Sequence, residues 1–331
     1  MQRTPNAPPR PFDGLDPQTL VDAVEALGLE CDGRILALNS YENRVYRVGL
    51  EDAAPVVAKF YRPQRWKLEA ILEEHAFAAE LRAADLSVVA PLAIGGRTLH
   101  EHAGFRFALF PMQGGHAPEL SGEHTLATLG RSLGRLHLVG EAGVFRHRER
   151  FDLAARAEAA ADTLLDDGWL PPHLVPRMLD VCDDLLAVIE TAQADAGETA
   201  ILRLHGDCHP ANLLWRDGTA HFVDLDDAAS GAAVHDLWML LSGSRAEQTR
   251  QLQVLLEGYE TFRRFDRAEL HLVGAARAVR LLHHNAWIAR RWRDPAFPAA
   301  FADFEQQRHW EDFLDQLADL TEAAAAPPLR P

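Results

Sequence analysis

The run His205-Gly206-Asp207-Cys208-His209-Pro210-Ala211-Asn212, followed by Phe222-Val223-Asp224-Leu225-Asp226-Asp227, constrains this chain more than any other feature. It spaces an Asp, an amide five residues later and a second Asp seventeen residues after the first around one short hairpin. Phosphoryl transfer needs that set. One carboxylate receives a hydroxyl proton, while Asn and Asp oxygens hold Mg²⁺ against ATP. Residues 201–204 predict a short buried strand running into a turn at Gly206. Residues 212–215 and 221–223 predict two strands joined by Arg216-Asp217-Gly218. Asp and Asn are also common in ordinary turns, but spacing, residue type and strand context here agree on chemistry.

A chain of 331 residues with 47% hydrophobic content has ample core for one large or two ordinary domains. Its formal net charge of −16 opposes non-specific binding to nucleic acid or to an anionic membrane. No apolar run is long enough to cross a bilayer, and the N-terminus lacks the apolar core of a signal peptide, so a cytoplasmic protein is expected. A monomer is the expected state. Cys31, Cys182 and Cys208 are too widely spaced for a disulfide framework, and no second cluster joins His205, Cys208 and His209 into a zinc site. Cys208, beside Asp207, is a candidate for oxidation.

Proline-rich ends predict loose tails at 5–11 and 327–331. Asp16-Pro17 predicts a helix start, with Gly28 as its stop. Extended segments at 34–38, 44–48 and 56–61 predict an antiparallel meander. A helix over 66–83 follows, then further strands at 87–90, 97–100 and 105–110. Pro111-Met112-Gln113-Gly114-Gly115 breaks the pattern, as an interlobe hinge would. Helices are expected beyond it at 123–138, 152–165, 174–192, 234–241, 246–262 and 267–293. The expected fold is therefore α+β and bilobal. A tail and leading helix (1–30) precede a small β-rich lobe (31–112) and a larger helical lobe (113–326) that carries the hairpin, and a tail (327–331) ends the chain.

Only two lysines, Lys59 and Lys67, stand among 33 basic residues. Lys59 alternates with Val57 and Tyr61, so a strand places it on their face, opposite Ala58 and Phe60. An ammonium there can reach phosphate oxygens if a carboxylate steadies it. Glu73 and Glu74 on the next helix are the candidates, and Glu74 is preferred because it lies two turns before Leu81. The preceding loop, residues 39–46, contains no glycine, and no Walker sequence occurs anywhere. Ser40 and its neighbouring amides are candidate phosphate donors, though a polar β-turn explains the same residues.

These residues resemble the aminoglycoside phosphotransferase and choline kinase group of the protein-kinase-like fold. The resemblance rests on Lys59, a helix Glu, the HGDxHxxN pattern, the VDxDD pattern and LGRSLGRLH at 129–137. The whole chain is more closely similar to the RdoA-type stress response kinases, which are bacterial Ser/Thr protein kinases. LNSYENRVY, KFYRPQRW, ILEEHAF, DLWMLL and RRWRDPAFP carry that likeness. It implies ATP-dependent phosphorylation of Ser/Thr in protein substrates during a stress response. Carried over, Asp207 is the proton acceptor, Asn212 and Asp224 are Mg²⁺ ligands, and Ser40 contacts ATP. Pro210-Ala211 departs locally from the pattern without touching a ligand.

A small-molecule alcohol kinase, acting on an amino sugar, choline or homoserine, is the alternative. Asp236 follows Asp224 by only twelve positions, and no APE sequence follows to seat a peptide. Asp226 and Asp227 could hold a cationic substrate, or instead act as supporting carboxylates or helix caps. A pseudokinase would have to lack Asp207, Asn212, Asp224 or Lys59, and all four are present. The segment bearing His283, His284, Trp287, Arg290, Arg291 and Trp292 either lines the substrate side of the cleft or simply packs.

Overall fold

In the computed structural model, which describes residues 10–331, Asp16 caps the first helix as its place before Pro17 predicts. Its side chain accepts the Thr19 amide at 2.8 Å, and α1 (Pro17–Glu25) follows. Five strands form one antiparallel sheet: β1 (Cys31–Ala37), β2 (Arg44–Leu50), β3 (Val56–Phe60), β4 (His100–His102) and β5 (Phe105–Pro111). Their order is β1-β2-β3-β5-β4. Between β3 and β4 runs α2 (Leu68–Ala83). The strand period sorts the two faces. Val48, Ala58, Phe60, Phe107 and Leu109 meet Leu20 and Val24 of α1 in one apolar cluster, while Lys59 faces the other way.

After the connector 112–116 the chain is mainly helical, with α3 (Glu123–Glu141), α4 (Leu153–Asp166) and α5 (Val175–Ala196). Two small ladders then carry the hairpin: β6 (Leu202–Leu204) pairs with β9 (Ala229–Gly231), and β7 (Leu213–Arg216) with β8 (Thr219–Phe222). The helices α6 (Val234–Leu237), α7 (Arg245–Tyr259), α8 (Leu272–Arg291), α9 (Ala296–Ala300) and α10 (Gln307–Ala324) complete the lobe. Helices α3 and α7 touch backbone to backbone. A Cβ on Gly130 would lie 2.0 Å from the Leu255 carbonyl oxygen, so no larger residue fits there. The bilobal α+β expectation holds.

Several local expectations do not. Residues 87–90 form no sheet strand; they bridge Val88 to Phe222, so this segment ties the sheet lobe to the hairpin. Arg97 makes only an isolated bridge to Ile94, and the strand begins at His100. The helix expected over 267–293 starts as a 3₁₀ turn at Arg267–His271, where Glu269 turns inward to accept the Val234 amide at 2.8 Å. Helix α6 likewise yields to a 3₁₀ turn at Trp238–Leu240. The C-terminal segment expected to be loose is held, with Leu329 buried and Arg245 bonded to the Pro328 carbonyl at 2.8 Å. Of the N-terminal segment, residues 5–9 lie outside the described residues, while Phe12 stacks on Phe105. Helix α10, absent from the sequence reading, buries Trp310, Phe313, Leu314 and Leu317 along one face.

Candidate active site

Strand β6 delivers the chain to His205 and then to a turn that only glycine fits. Gly206 has φ of 85°, and a Cβ there would lie 2.0 Å from the Asp227 carbonyl oxygen. The His205 and Gly206 amides donate to the two carboxylate oxygens of Asp236 at 2.8 and 2.9 Å. His137 Nε2 lies 3.0 Å from Asp236 Oδ2, and its Nδ1 lies 2.9 Å from the Tyr259 hydroxyl. Burial alone would raise the Asp236 pKa; the His137 hydrogen bond and the neighbouring donors hold it below the usual 3.8. This buried network fixes the loop from beneath. The sequence reading did not assign Asp236 or His137, although both stand in segments it singled out.

On that base the loop presents Asp207. Its Oδ1 accepts from Arg280 Nη1 at 2.6 Å, and His209 Nε2 lies 3.3 Å from its Oδ2. Burial pushes the Asp207 pKa up, but His209 and Arg280 together hold it well below the usual carboxylate range. Asn212 Nδ2 donates to the Asp207 carbonyl at 3.0 Å, which leaves the Asn212 side-chain oxygen free to ligate. Just beyond β8, Asp224 adopts left-handed φ and ψ of 59° and 64°. Asp is one of the few residues that tolerate this conformation, and here it turns a half-exposed carboxylate into the cleft.

Lys59, buried in β3, meets three carboxylates. Its Nζ lies 2.8 Å from Asp224 Oδ1, 3.1 Å from Asp226 Oδ1 and 3.8 Å from Glu74 Oε1. Burial would lower the lysine pKa, but those carboxylates raise it well above its ordinary value. Glu74 goes the other way. Its own burial, with Asp226 and Asp224 nearby, pushes it up to about 7 against the pull of Lys59 and Arg148. Glu73 is occupied elsewhere, accepting the amides of Arg146 and His147 at 2.8 Å each, so Glu74 is the lysine's helix partner. Asp224 and the Asn212 oxygen, both at the cleft, are hard oxygen donors that fit a divalent cation. Among the described residues no cluster of three or more His, Cys, Asp or Glu could enclose a metal by itself, so phosphate oxygens would supply the remaining ligands.

One open alternative is resolved here and one expectation corrected. Asp226 does not face a substrate; it is 2% exposed and taken up by Lys59, Arg65 and the Asn43 amide. Asp227 pairs with Arg65 at 2.5 Å. Cys208 is fully buried, and burial pushes its thiol well above the ordinary range, which disfavours oxidation.

The glycine-free loop is held by side chains instead. Ser40 lines the cleft, and its hydroxyl donates to the Asn43 carbonyl at 3.1 Å. The Glu42 carboxylate accepts Trp287 Nε1 at 2.6 Å and Arg291 Nε at 3.0 Å and pairs with Arg62 at 3.0 Å, while Arg62 Nε donates to the Glu42 carbonyl at 2.9 Å. Arg62 and Arg44 converge on Asp294 at 2.6 and 2.8 Å, and the Tyr41 ring packs near Phe297 and Phe301. Residues from SYENR, KFYRPQRW and RRWRDPAFP thus meet in one clamp between the loop and the end of α8. Behind the loop is a cleft of about 330 Å³ walled by Leu38, Val57, Val89, Phe110, Leu214 and Val223, with Lys59, Glu74, Asn212 and Asp224 at its polar end. It offers apolar walls for a flat ring and charges for its phosphates.

Residues 34–273 match the phosphotransferase enzyme family. Over 322 residues, 96% of each chain, the sequence is 43% identical to stress response kinase A of Escherichia coli strain K12. It is equally 43% identical, over 96% of each chain, to the serine/threonine protein kinase RdoA of Salmonella typhimurium strain LT2. Among solved structures, the amicoumacin kinase complex with AMP-PNP, Ca²⁺ and Ami superimposes with a TM-score of 0.69 at 17% identity, covering 91% of this chain and 94% of that one. The microcompartment-associated aminopropanol kinase gives 0.64 at 19% identity, covering 90% and 98%. With the lysine, the hairpin and the cleft in place, these likenesses agree: the chain belongs to the phosphotransferase enzyme family and is an ATP-dependent kinase.

Proposed function

We propose that this kinase is a Mg²⁺- and ATP-dependent serine/threonine protein kinase acting in the cytoplasm in a stress response. The observation that carries the protein acceptor is the 43% identity, over 96% of both chains, to a relative named as a serine/threonine protein kinase. In this reading Lys59, steadied by Glu74, engages the ATP phosphates, and Ser40 contacts them from the loop. Asn212 and Asp224 hold Mg²⁺, which neutralises charge on the phosphates when bound. Asp207 receives the acceptor hydroxyl. The hydroxyl oxygen bonds to the γ-phosphorus, the bond to the bridging oxygen breaks, ADP leaves with that electron pair, and the proton passes to Asp207. A carboxylate held so acidic is a weak base. Its main work is to orient the hydroxyl and take the proton late, which suits a loose transition state.

A small-molecule acceptor is the second reading, favoured by the short path from Asp224 to Asp236. That path is folded tightly, with Ala228, Ala229, Ala232 and Ala233 all buried, so it offers no peptide platform of its own. The test is γ-phosphate transfer from labelled ATP in parallel to Ser/Thr proteins and to small amino alcohols. Label on protein Ser or Thr supports the proposal. Turnover confined to an amino alcohol replaces it with the second reading.

A further inference from the structure

Helix α8 carries Arg277, Arg280, Arg290, Arg291 and two histidines but no Asp or Glu, in a chain of formal net charge −16. Its arginines are unevenly matched. Arg291 has Glu42, but Arg277 bonds only the neutral Gln248 amide at 2.7 Å, and Arg290 bonds the Thr163 hydroxyl at 3.1 Å. Arg280, 46% exposed, spends its charge on Asp207. Arg290 Nη2 also lies 3.5 Å from His283 Nε2, and Arg156 pairs with Glu149 at 3.3 Å. The cationic stripe of α8 thus touches the proposed acceptor carboxylate through Arg280 alone.

The position of Arg280 decides what the stripe does. A hydroxyl entering the site must approach the carboxylate that Arg280 occupies, so the guanidinium has to share Asp207 or move. Its exposure leaves it free to swing on α8. A carboxylate close to the incoming hydroxyl gives it a new partner with a charge-assisted bond of the same kind. An ammonium there gives it none and is repelled.

We propose that Arg280 selects the acceptor, favouring a Ser or Thr flanked by acidic residues whose carboxylate takes the guanidinium from Asp207 as the hydroxyl arrives. This rests on the protein-acceptor reading above. It makes Arg280 a specificity residue. The bond changes in phosphoryl transfer are unaltered.

The experiment uses the full chain with Mg-ATP and two Ser peptides of equal length, one with Asp/Glu flanks and one with Lys/Arg flanks, and aminopropanol as a third acceptor. The acidic peptide is expected to have the higher kcat/KM by on the order of tenfold, chiefly through KM, as one charge-assisted bond would give. Arg280→Gln should bring the two peptides close together, and Arg280→Glu should reverse their order, with Mg-ATP affinity retained in both. Equal kcat/KM for the two peptides, or a ratio unmoved by either substitution, overturns the inference while leaving the protein-kinase reading intact. Transfer to aminopropanol with none to either peptide overturns both.

Discussion

At the nucleotide end of the cleft three carboxylates crowd one ammonium, whereas at the acceptor end a guanidinium and an imidazole crowd one carboxylate. The first cluster is assembled by β3, α2 and the residues after β8. The second is assembled by the loop after β6 and by α8. Arg65 and Arg148 also pair with the carboxylates around the lysine, so the first end is a network of several charges of both signs. The second end is a single carboxylate held by one half-exposed guanidinium and a nearby imidazole. Fold likeness to kinases of small amino alcohols does not carry this difference, because it resides in side chains.

Asp207→Ala should give the largest effect and the cleanest separation of the two ends. Turnover is expected to fall by on the order of 10²–10⁴, with Mg-ATP affinity by calorimetry nearly unchanged. A parallel loss of nucleotide affinity would show that the ends act as one. Asp224→Ala removes the half-exposed carboxylate proposed to hold the metal, so nucleotide affinity should lose its Mg²⁺ dependence, with Asn212→Ala a milder version. Unchanged Mg²⁺ dependence would remove Asp224 from the metal site. Lys59→Arg should cost on the order of tenfold in turnover, about 1.4 kcal/mol, since the planar guanidinium cannot occupy the ammonium's place among three carboxylates. Adding Glu74→Gln should worsen it little, because both changes disturb one unit. Full activity in the folded Lys59→Arg enzyme would remove the lysine from the nucleotide end. The smallest effect expected is for Glu42→Gln. It keeps the oxygen acceptor and loses the charge shared by Arg62 and Arg291, so stability to urea should drop by about 1 kcal/mol.

What the sequence made legible is what lies close along the chain. Asp207, Asn212 and Asp224 share one hairpin, and strand alternation with helix periodicity was enough to join Lys59 to Glu74. Contacts made by distant segments were not legible. Arg280 reaches Asp207 across 73 residues, Asp236 reaches His205 across 31, and Arg291 reaches Glu42 across 249. No local period encodes such pairings, because the packing of α8 and α3 against the hairpin sets them. The words DLWMLL, YRPQRW and RRWRDPAFP pointed to importance without a role; the structure gives them work as the loop's anchor and its clamp. Helix α10 is a different case. Trp310, Phe313, Leu314 and Leu317 carry a plain helical period, so its omission was one of reading rather than of information.

Helix α8 leans on both ends of the cleft at once, through Arg280 on Asp207 and through Trp287 and Arg291 on Glu42. The eleven-residue step from Arg280 to Arg291 spans roughly 16 Å of continuous helix. A displacement of α8 at Arg280 would therefore reach the glycine-free loop through Glu42. Linkage then works in both directions. Whatever factor an acceptor contributes to nucleotide affinity, nucleotide returns to the acceptor. A strut of this kind would let the two substrates report on each other through the protein as well as at the reacting atoms.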